Sequence, residues 1–315
     1  MIDEEIKAIR STGIGGSDIG AILGLSRFKS PYDVYLDKIG EGDGFTGNNA
    51  THWGNILEAV VADEYSAQTG NKVQRVNKTI RHPDHEWAIA NIDRAVVVPE
   101  IAKRVYIRKD GTLATNRILE CKTANGFKTA MWGEPGSDFV PDSYFCQCQW
   151  YMFVCNADYA DLAVLIGGQD FRIYKIERDQ AFIEGMYKAA RTFWFENVQK
   201  RIPPEVSTQE EAVKRYPKSE AGKTAEASED AFSAYKKLTE VTEEIKKLKA
   251  EESRLKAVMM RDMGDSESIK ADGVTLATWK LQSTTRLDSK LLKSEQPDIY
   301  NLYTKTSESR VFKLK

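Results

Sequence analysis

The sequence predicts an α/β (α+β) fold in which helices flank a central mixed β-sheet. Three observations indicate this fold. Segments with the helical spacing of apolar residues alternate with apolar, β-branched segments. Their order along the chain is helix, sheet, helix, hairpin, helix, which is typical of a mixed sheet covered by helices. After Pro203 and Pro204 the chain becomes polar, and from about residue 226 the composition changes again.

The N-terminal part is predicted to be helical. Residues 1–39 have the pattern of helices separated by the glycine-rich turn STGIGGSD, and residues 40–51 form a loop rich in Gly and Asn. A helix is predicted over 53–69, because apolar residues recur on one face and Gly70 ends the pattern. The residues on that face are Ile56, Leu57, Val60, Val61 and Tyr65.

The centre of the chain is predicted to supply the sheet. Its strand-like segments are 87–98, a hairpin over 104–123 that turns at Asp110-Gly111, and a hairpin over 161–177 that turns at Gly167-Gly168. A helix is predicted over 143–155, between the two hairpins. An amphipathic helix over 179–200 then completes the unit.

The composition divides the chain into a domain over 1–207, a linker over 208–225 and a C-terminal module over 226–315. The module is predicted to contain a long helix, 226–263, and a small strand-rich region, 267–315. Apolar residues of the long helix keep a spacing of three and four, with Glu252 as the one break. They are Leu238, Val241, Ile245, Leu248, Leu255 and Met259. Such a helix can pair with another helix or lie on its own domain, and the sequence leaves both open.

Composition restricts the class of protein. Hydrophobic residues make up 41% of the 315 residues and charged residues 29%, which is typical of soluble globular proteins. The acidic N-terminus lacks the apolar run of a signal peptide, and no stretch approaches the roughly 18 apolar residues of a membrane span. We therefore expect no membrane association and a location inside the cell. The net charge of −2 means that any DNA-binding surface must concentrate its positive charge locally.

The four cysteines are predicted to be buried small hydrophobic residues. An iron–sulfur site is the alternative, but a C-x-C followed by a cysteine further along fits no common cluster spacing.

A candidate active site follows from the sequence Leu119-Glu120-Cys121-Lys122. Alternate residues of a strand face the same side, so Glu120 and Lys122 project together. Asp93, in another predicted strand, can lie beside Glu120. An isolated E-x-K pattern is more often a solvated ion pair, so this pattern alone does not identify an enzyme.

Two carboxylates and an amine in one pocket suit phosphodiester hydrolysis. Paired carboxylates repel each other, and Mg²⁺ relieves the repulsion while it polarises a phosphoryl oxygen and activates water. Lys122 can orient that water and offset the charge that develops on the phosphorus oxygens. Glu58, in the helix that follows Trp53-Gly54, can supply a third carboxylate.

Five motifs then follow one another in the order and spacing of a known family. They are the segment 10–39 with GIGGSDIGAIL at its centre, WGNILEAVVADEYSAQTG (53–70), W-x5-D from Trp87 to Asp93, ILECKT (118–123) and YFCQCQWYMFV (144–154). Together they resemble the YqaJ-type viral recombinases, relatives of phage lambda exonuclease. The resemblance covers about residues 8–200, and the C-terminal module lies outside it.

The resemblance implies a restriction-endonuclease-like core with a PD-(D/E)XK site. Members of this family degrade one strand of double-stranded DNA from the 5′ end and need Mg²⁺, for which Mn²⁺ can substitute. By resemblance, Asp93 and Glu120 are metal ligands and the Cys121 backbone carbonyl is a third. Lys122 corresponds to the catalytic lysine.

Further positions of the catalytic site also follow from the resemblance. Glu58 matches the family's helix glutamate. The family's glutamine falls at Gln147 or Gln149, and the sequence leaves both open. Ile92 stands where the name of the motif expects proline, a position that is often relaxed.

A pocket for the 5′-phosphate is implied as well. Ser17 is predicted to cap a helix whose free N–H groups attract a phosphate, and glycines would let the phosphate approach the backbone. Arg10 and Lys128 fall at the spacings of basic residues in the lambda enzyme's pocket, and Asn91 could donate a hydrogen bond there. Arg27 falls where that enzyme places an arginine in the DNA minor groove, although a plain surface arginine fits equally well.

The function expected from the resemblance is a 5′-to-3′ exonuclease that exposes 3′ single-stranded overhangs for homologous recombination by single-strand annealing. Its partners would be double-stranded DNA ends and an annealing protein, and the resemblance suggests a homotrimeric ring in the cytoplasm of a bacterial host, encoded by a phage or prophage. One alternative is a structure-specific or endonucleolytic nuclease on the same fold. A non-catalytic DNA-binding or assembly protein is the other.

Overall fold

The computed structural model describes residues 8–42 and 47–315. The chain divides into two compact units, the first ending at Ala212 and the second comprising Val213–Lys315. The predicted boundaries at 207 and 226 stay a prediction, and the segment expected to be a linker contains the short helix Gln209–Arg215. Residues 43–46 of the predicted loop and residues 1–7 lie outside the described residues.

The helices of the first unit follow a helical turn at residues 8–11. They are α1 (Gly16–Ile22), α2 (Pro31–Ile39), α3 (Asn49–Thr69), α4 (Asp142–Cys155) and α5 (Gln180–Thr192). The 3₁₀ turn Gly126–Met131 precedes α4, and the π-helical turn Phe193–Val198 extends α5. The predicted helices over 53–69, 143–155 and 179–200 are therefore confirmed.

Seven strands lie in the described part of this unit. They are β1 (Val73–Gln74), β2 (Ile80–His82), β3 (His85–Ala90), β4 (Arg94–Val96), β5 (Arg117–Ala124), β6 (Tyr159–Ile166) and β7 (Asp170–Glu177). Five of them form one sheet in the order β1-β4-β5-β6-β7, while β2 and β3 form a separate ribbon.

The main sheet is mixed. Strands β5 and β6 are parallel and are joined by a crossover through α4, whereas the other neighbouring pairs are antiparallel. Helix α3 covers the face that carries Leu119 and Cys121, and α4 packs on the opposite face with Ile118 in the main core. A mixed sheet flanked by helices confirms the predicted α/β fold class.

Two predicted strand segments are wrong in detail. Residues 87–98 form two strands, because β3 pairs with β2 while β4 pairs with β5, so the chain changes sheet between them. In the segment 104–123, Asp110-Gly111 does turn the chain, with Gly111 at φ 87°. Its first arm makes only the single bridge from Ile107 to Leu113, because both edges of β5 are already occupied by β4 and β6.

Helix α3 begins earlier than predicted, because the Asn48 side chain caps it by accepting a hydrogen bond from the Thr51 backbone N at 3.0 Å. Its predicted apolar face is only partly buried. Val61 and Tyr65 lie in the core, whereas Ile56 is 48% exposed and Val60 is 53% exposed.

All four cysteines are free and buried, which confirms that they pack as small hydrophobic residues. Within the described part of the chain, no helix has the length and apolarity to cross a membrane.

The second unit begins within helix α6 (Gln209–Arg215) and contains the long helix α7 (Glu229–Met263). The hairpin of β8 (Ser268–Ala271) and β9 (Val274–Thr278) follows, and then α8 (Ser289–Glu295) and α9 (Pro297–Tyr303). The long helix and one hairpin are as predicted. The region 267–315 is nevertheless not purely strand-rich, because the Asp288 cap and Pro297 start two short helices and residues 304–315 form no regular element.

Candidate active site

The pairing of β4 with β5 brings Asp93 beside Glu120. Arg94 lies opposite Leu119 in this ladder, so the residue before Arg94 lies next to the residue after Leu119. The Asp93 Oδ2 atom accepts a hydrogen bond from the Cys121 backbone N at 2.8 Å, which fixes the carboxylate against β5. The two carboxylates are therefore neighbours, as expected, although Asp93 lies one residue before the start of β4.

Glu120 lies at the centre of a hydrogen-bonded group. Its Oε1 atom accepts from Lys122 Nζ at 2.5 Å and from Gln147 Nε2 at 2.6 Å. Glu120 and Lys122 thus share one face of β5, as the strand alternation predicts. The second oxygen, Oε2, is buried and has no hydrogen-bond partner among the described residues. A buried carboxylate oxygen without a donor is unusual and suits a ligand that supplies positive charge.

The electrostatics of the pocket favour a cation. Burial, reinforced by the neighbouring Asp93 carboxylate, raises the pKa of Glu120 to about 8. Burial also raises the pKa of Asp93, although Lys122 and the Cys121 N–H oppose this shift. Burial by itself would lower the pKa of Lys122, but the carboxylates of Glu120 and Asp93 outweigh it and raise that pKa, so the amine stays an ammonium group.

Glu58 reaches this neighbourhood from α3, and its charge contributes to the raised pKa values of Asp93 and Glu120. Its Oε1 atom is engaged by Arg94 Nη1 at 2.5 Å, and Arg94 also donates to the Asp93 backbone carbonyl at 2.6 Å. Sequence reasoning missed Arg94. The available signal was a charged residue directly after Asp93, within an otherwise apolar strand.

The structure separates the two candidate glutamines. Gln147 bonds to Glu120, whereas Gln149 lies outside the site. Gln149 Nε2 donates to the Glu177 carbonyl at 2.7 Å, and its Oε1 accepts from the Asp179 N–H at 3.0 Å. Gln149 therefore ties the end of β7 to the start of α5. Two residues apart on a helix point about 200° apart, so only one of these glutamines can face Glu120.

Two tyrosines of α4 complete the surroundings and were not predicted. The Tyr151 hydroxyl accepts a hydrogen bond from Gln147 Nε2 at 3.1 Å. Lys122 Nζ lies 5.1 Å from the centre of the Tyr144 ring, a cation–π distance. Tyr144, Gln147 and Tyr151 are spaced by three and four residues, which places them on one face of a helix. That spacing was the signal that could have identified both tyrosines.

The glycine-rich segment is built differently from the prediction. Gly15, not Ser17, occupies the N-cap of α1, and its N–H donates to the Asp18 carboxylate at 3.0 Å. Ser17 lies in the first helical turn and is exposed. The predicted cap at Ser17 is therefore wrong, because the helix already begins at Gly16 and the extended Gly15 precedes it.

Close packing explains the glycines of this segment. A Cβ atom on Gly16 would lie 2.5 Å from the Tyr151 ring, and one on Gly13 would lie 2.3 Å from the Trp87 carbonyl oxygen. Access for a phosphate is thus not what requires glycine at these positions. The contact of Gly16 with Tyr151 instead docks α1 on the helix that carries Gln147.

The candidate DNA-contacting residues make separate contacts. Arg10 is exposed, and the Asn91 side-chain oxygen accepts from Thr79 Oγ1 at 2.7 Å. Lys128 Nζ lies 5.0 Å from the centre of the Phe28 ring, next to the exposed Arg27. Among the described residues, no hydrogen bond or ion pair joins Arg10, Ser17, Asn91 and Lys128 to one another.

The donor atoms suit a hard divalent cation. Within residues 8–42 and 47–315, no three His, Cys, Asp or Glu side chains converge in a ready-made metal cluster. The available donors are the carboxylates of Asp93 and Glu120 and the backbone carbonyl of Cys121. One or two carboxylates completed by water and substrate phosphate are typical ligands of Mg²⁺, whereas structural zinc needs four nitrogen or sulfur ligands. The residues present fit Mg²⁺.

Comparisons with known proteins decide the family. The profile of the YqaJ-like viral recombinase domain matches residues 5–158. The protein YqaJ of Bacillus subtilis (strain 168) is 32% identical over 313 residues, which cover 97% of this chain and 92% of that protein. The chain belongs to the YqaJ-like viral recombinase family. The similarity to YqaJ extends into the C-terminal unit, beyond the segments that carry the sequence resemblance.

Solved structures show a more distant likeness. An alkaline exonuclease from Laribacter hongkongensis has a TM-score of 0.47 and 19% identity, over 67% of this chain and 96% of that chain. A phage-related exonuclease from Haemophilus somnus has a TM-score of 0.39 and 15% identity, over 60% of this chain and 96% of that chain. These similarities are too distant to carry an argument about activity.

Proposed function

We propose that this member of the YqaJ-like family is a metal-dependent deoxyribonuclease that hydrolyses one strand of double-stranded DNA from its 5′ end. The observation that carries the proposal is the buried Glu120 carboxylate beside Asp93. One of its oxygens is bound by Lys122 and Gln147, and the other has no hydrogen-bond partner within residues 8–42 and 47–315. A protein that only binds DNA gains nothing from buried carboxylates, since it needs positive charge against phosphate.

The residues have distinct roles in this proposal. Asp93, Glu120 and the Cys121 carbonyl would hold Mg²⁺, or Mn²⁺ in its place, and the ion supplies Lewis-acid activation of the phosphodiester. Lys122 would orient the attacking water and stabilise the charge that develops on the phosphoryl oxygens. Gln147 holds the Glu120 carboxylate in one orientation, and Tyr151 in turn holds Gln147.

Glu58 is proposed as a supporting carboxylate. Arg94 forms an ion pair with Glu58 and also donates to the Asp93 backbone carbonyl. Its positive charge therefore offsets part of the negative charge of the pocket. A rearrangement of this half-buried pair would make Glu58 available as a hydrogen-bond acceptor for water.

The 5′-to-3′ direction rests on a phosphate pocket around Arg10 and Ser17, with Lys128 and Asn91 nearby in the family pattern. The packing of Gly16 on Tyr151 supports this, because it links the helix that begins next to Ser17 to Gln147 and so to Glu120. A terminal phosphate held at Ser17 would therefore have a fixed position relative to the metal site. DNA ends, an annealing protein and a ring of three subunits are the proposed partners and assembly.

Digestion of linear duplexes tests this function. Each duplex carries one blocked end, with or without a 5′ phosphate at the free end, and reactions contain Mg²⁺ or EDTA. We expect Mg²⁺-dependent release of nucleotides from the strand whose 5′ end is free, faster with a 5′ phosphate. The direction of degradation should be the same whichever end of the duplex is left free. Degradation from the 3′ end, or nicking of covalently closed circles at a comparable rate, would contradict the proposal. An Arg10→Ala variant should lose the preference for a 5′ phosphate but keep cleavage.

A further inference from the structure

The exposed face of α7 carries a heptad repeat that its own unit leaves largely uncovered, with Met259 partly buried. Written as abcdefg with Leu238 at position a, the a and d positions are apolar except for one. They are Leu238, Val241, Ile245, Leu248, Glu252, Leu255 and Met259. Leu248 is 62% exposed and Leu255 is 50% exposed. A stripe of this length is expected to pack against a partner, since large exposed apolar patches mark interaction sites.

The charges beside this stripe identify the partner. Between Leu238 and Met259, position g carries Glu244, Glu251 and Val258, and position e carries Thr242, Lys249 and Lys256. In two parallel helices in register, each g residue faces the e residue of the next heptad on the other helix. Glu244 would therefore face Lys249 of a second copy, and Glu251 would face Lys256.

The antiparallel arrangement has the opposite electrostatics. There, g positions face g positions and e positions face e positions, so Glu244 and Glu251 would meet carboxylates and the lysines would meet lysines. We propose that α7 is a parallel, in-register coiled-coil interface, with α7 of a second copy of this chain as its occupant. This assembly role is separate from the proposed nuclease site.

The isolated helix already contains the ion pairs that this assembly would exchange. Arg254 binds Glu251 at 2.7 Å, and Lys256 binds Glu252 at 2.5 Å. All four side chains are more than half exposed, so these pairs are weak and readily replaced. Glu252 at position a would face its own counterpart in the in-register pair, and it therefore lowers the stability of the association.

Disulfide trapping in the full-length protein tests orientation and register together. Ala234 occupies position d and Ala250 occupies position f, on the outer side, and both are exposed. Under mild oxidation we expect Ala234→Cys to give a covalent dimer and the matched control Ala250→Cys to give none. The four native cysteines are buried, so the wild-type chain serves as the background. A disulfide needs the two Cβ atoms to come close, which an antiparallel pair does not allow at residue 234.

Charge exchange then tests the identity of the partner surface. In the Ala234→Cys background, we expect Lys249→Glu with Lys256→Glu to abolish the covalent dimer, as should Glu244→Lys with Glu251→Lys. Mixing these two variants should restore crosslinking as a heterodimer, because each g–e pair is again of opposite charge. The proposal is overturned if Ala234→Cys gives no covalent dimer, if Ala250→Cys crosslinks equally, or if crosslinking ignores the charge reversals. Those outcomes would indicate that this face packs against the first unit or against another protein instead.

Discussion

Two buried carboxylates lie on neighbouring strands of the same sheet in opposite surroundings. Asp161 on β6 pairs in register with Leu119, so it is next to Glu120 on β5, and the two residues are 1% and 2% exposed. Arg117 holds both oxygens of Asp161 at 2.6 and 2.9 Å, and the Tyr65 hydroxyl donates to it as well. Glu120 has donors on one oxygen and none on the other among the described residues.

The difference separates scaffold from site. A buried carboxylate whose oxygens all accept hydrogen bonds stabilises the fold. A buried carboxylate with an unpaired oxygen destabilises the fold, and such a group is retained where it has a function. Sequence alone does not distinguish them, because each is an acidic residue in an apolar strand.

Removal of a carboxylate of the metal site should abolish activity. We expect Glu120→Ala or Asp93→Ala to lower the rate of DNA hydrolysis by roughly 10³-fold or more, because a metal ligand is lost and the ion accounts for several kcal/mol of transition-state stabilisation. The thermal midpoint of unfolding should fall only modestly for Glu120→Ala: Lys122 and Gln147 lose an acceptor, but a buried carboxylate with a raised pKa and an unpaired oxygen is removed. A wild-type cleavage rate in either variant would refute the metal site.

Removal of Asp161, the carboxylate with both oxygens hydrogen-bonded, should lower stability instead. Asp161→Ala leaves Arg117 and Tyr65 without their acceptor, so the free energy of unfolding in urea should fall by about 3–5 kcal/mol. The exposed Asp158, three residues earlier in the chain, is the matched control, and Asp158→Ala should change stability by about 0.5 kcal/mol or less. An unchanged urea midpoint for Asp161→Ala would show that the Arg117 pair is not structural.

Lys122→Ala should lower the rate by roughly 10²-fold at saturating Mg²⁺, because the ammonium group acts on the water and the developing charge rather than on the metal. Metal affinity, measured by titration with Mn²⁺, should change little. If the variant instead loses metal binding and keeps its rate at saturating metal, Lys122 serves only to hold Glu120.

The two glutamines of α4 give the finest comparison. Gln147→Ala should lower the cleavage rate about tenfold, the loss expected for one hydrogen bond that orients a ligand. Gln149→Ala should leave the rate per folded molecule unchanged and lower the urea midpoint, since it bridges β7 and α5. The assignment is reversed if Gln149→Ala is the variant with the slower rate and normal stability.

Much of this site could be predicted from the sequence because it depends on local geometry. The alternation of a strand puts Glu120 and Lys122 on one face whatever the tertiary structure. The position of Asp93 required only that the two strands pair, and the family resemblance supplied that pairing. The mixed sheet and the helices around it followed from the order of apolar patterns along the chain.

What could not be predicted depends on how elements meet. The choice between Gln147 and Gln149 is set by the rotation of α4 against the sheet, which no periodicity within α4 specifies. The Arg94–Glu58 pair joins a strand to a helix 36 residues earlier in the chain. The glycines near Ser17 were attributed to phosphate access, because their close contacts with Trp87 and Tyr151 exist only after folding.

Conservative substitutions of the two carboxylates test most directly whether Glu120 belongs to the active site and Asp161 to the scaffold. Glu120→Gln and Asp161→Asn each replace a carboxyl group with an amide at neighbouring positions of the sheet. Mg²⁺-dependent hydrolysis of a linear duplex is then measured per folded molecule for both. We expect Glu120→Gln to be folded and inactive, and Asp161→Asn to be less stable but active when folded. Activity in Glu120→Gln, or an inactive but normally stable Asp161→Asn, would contradict the assignment of Glu120 to the site and Asp161 to the scaffold.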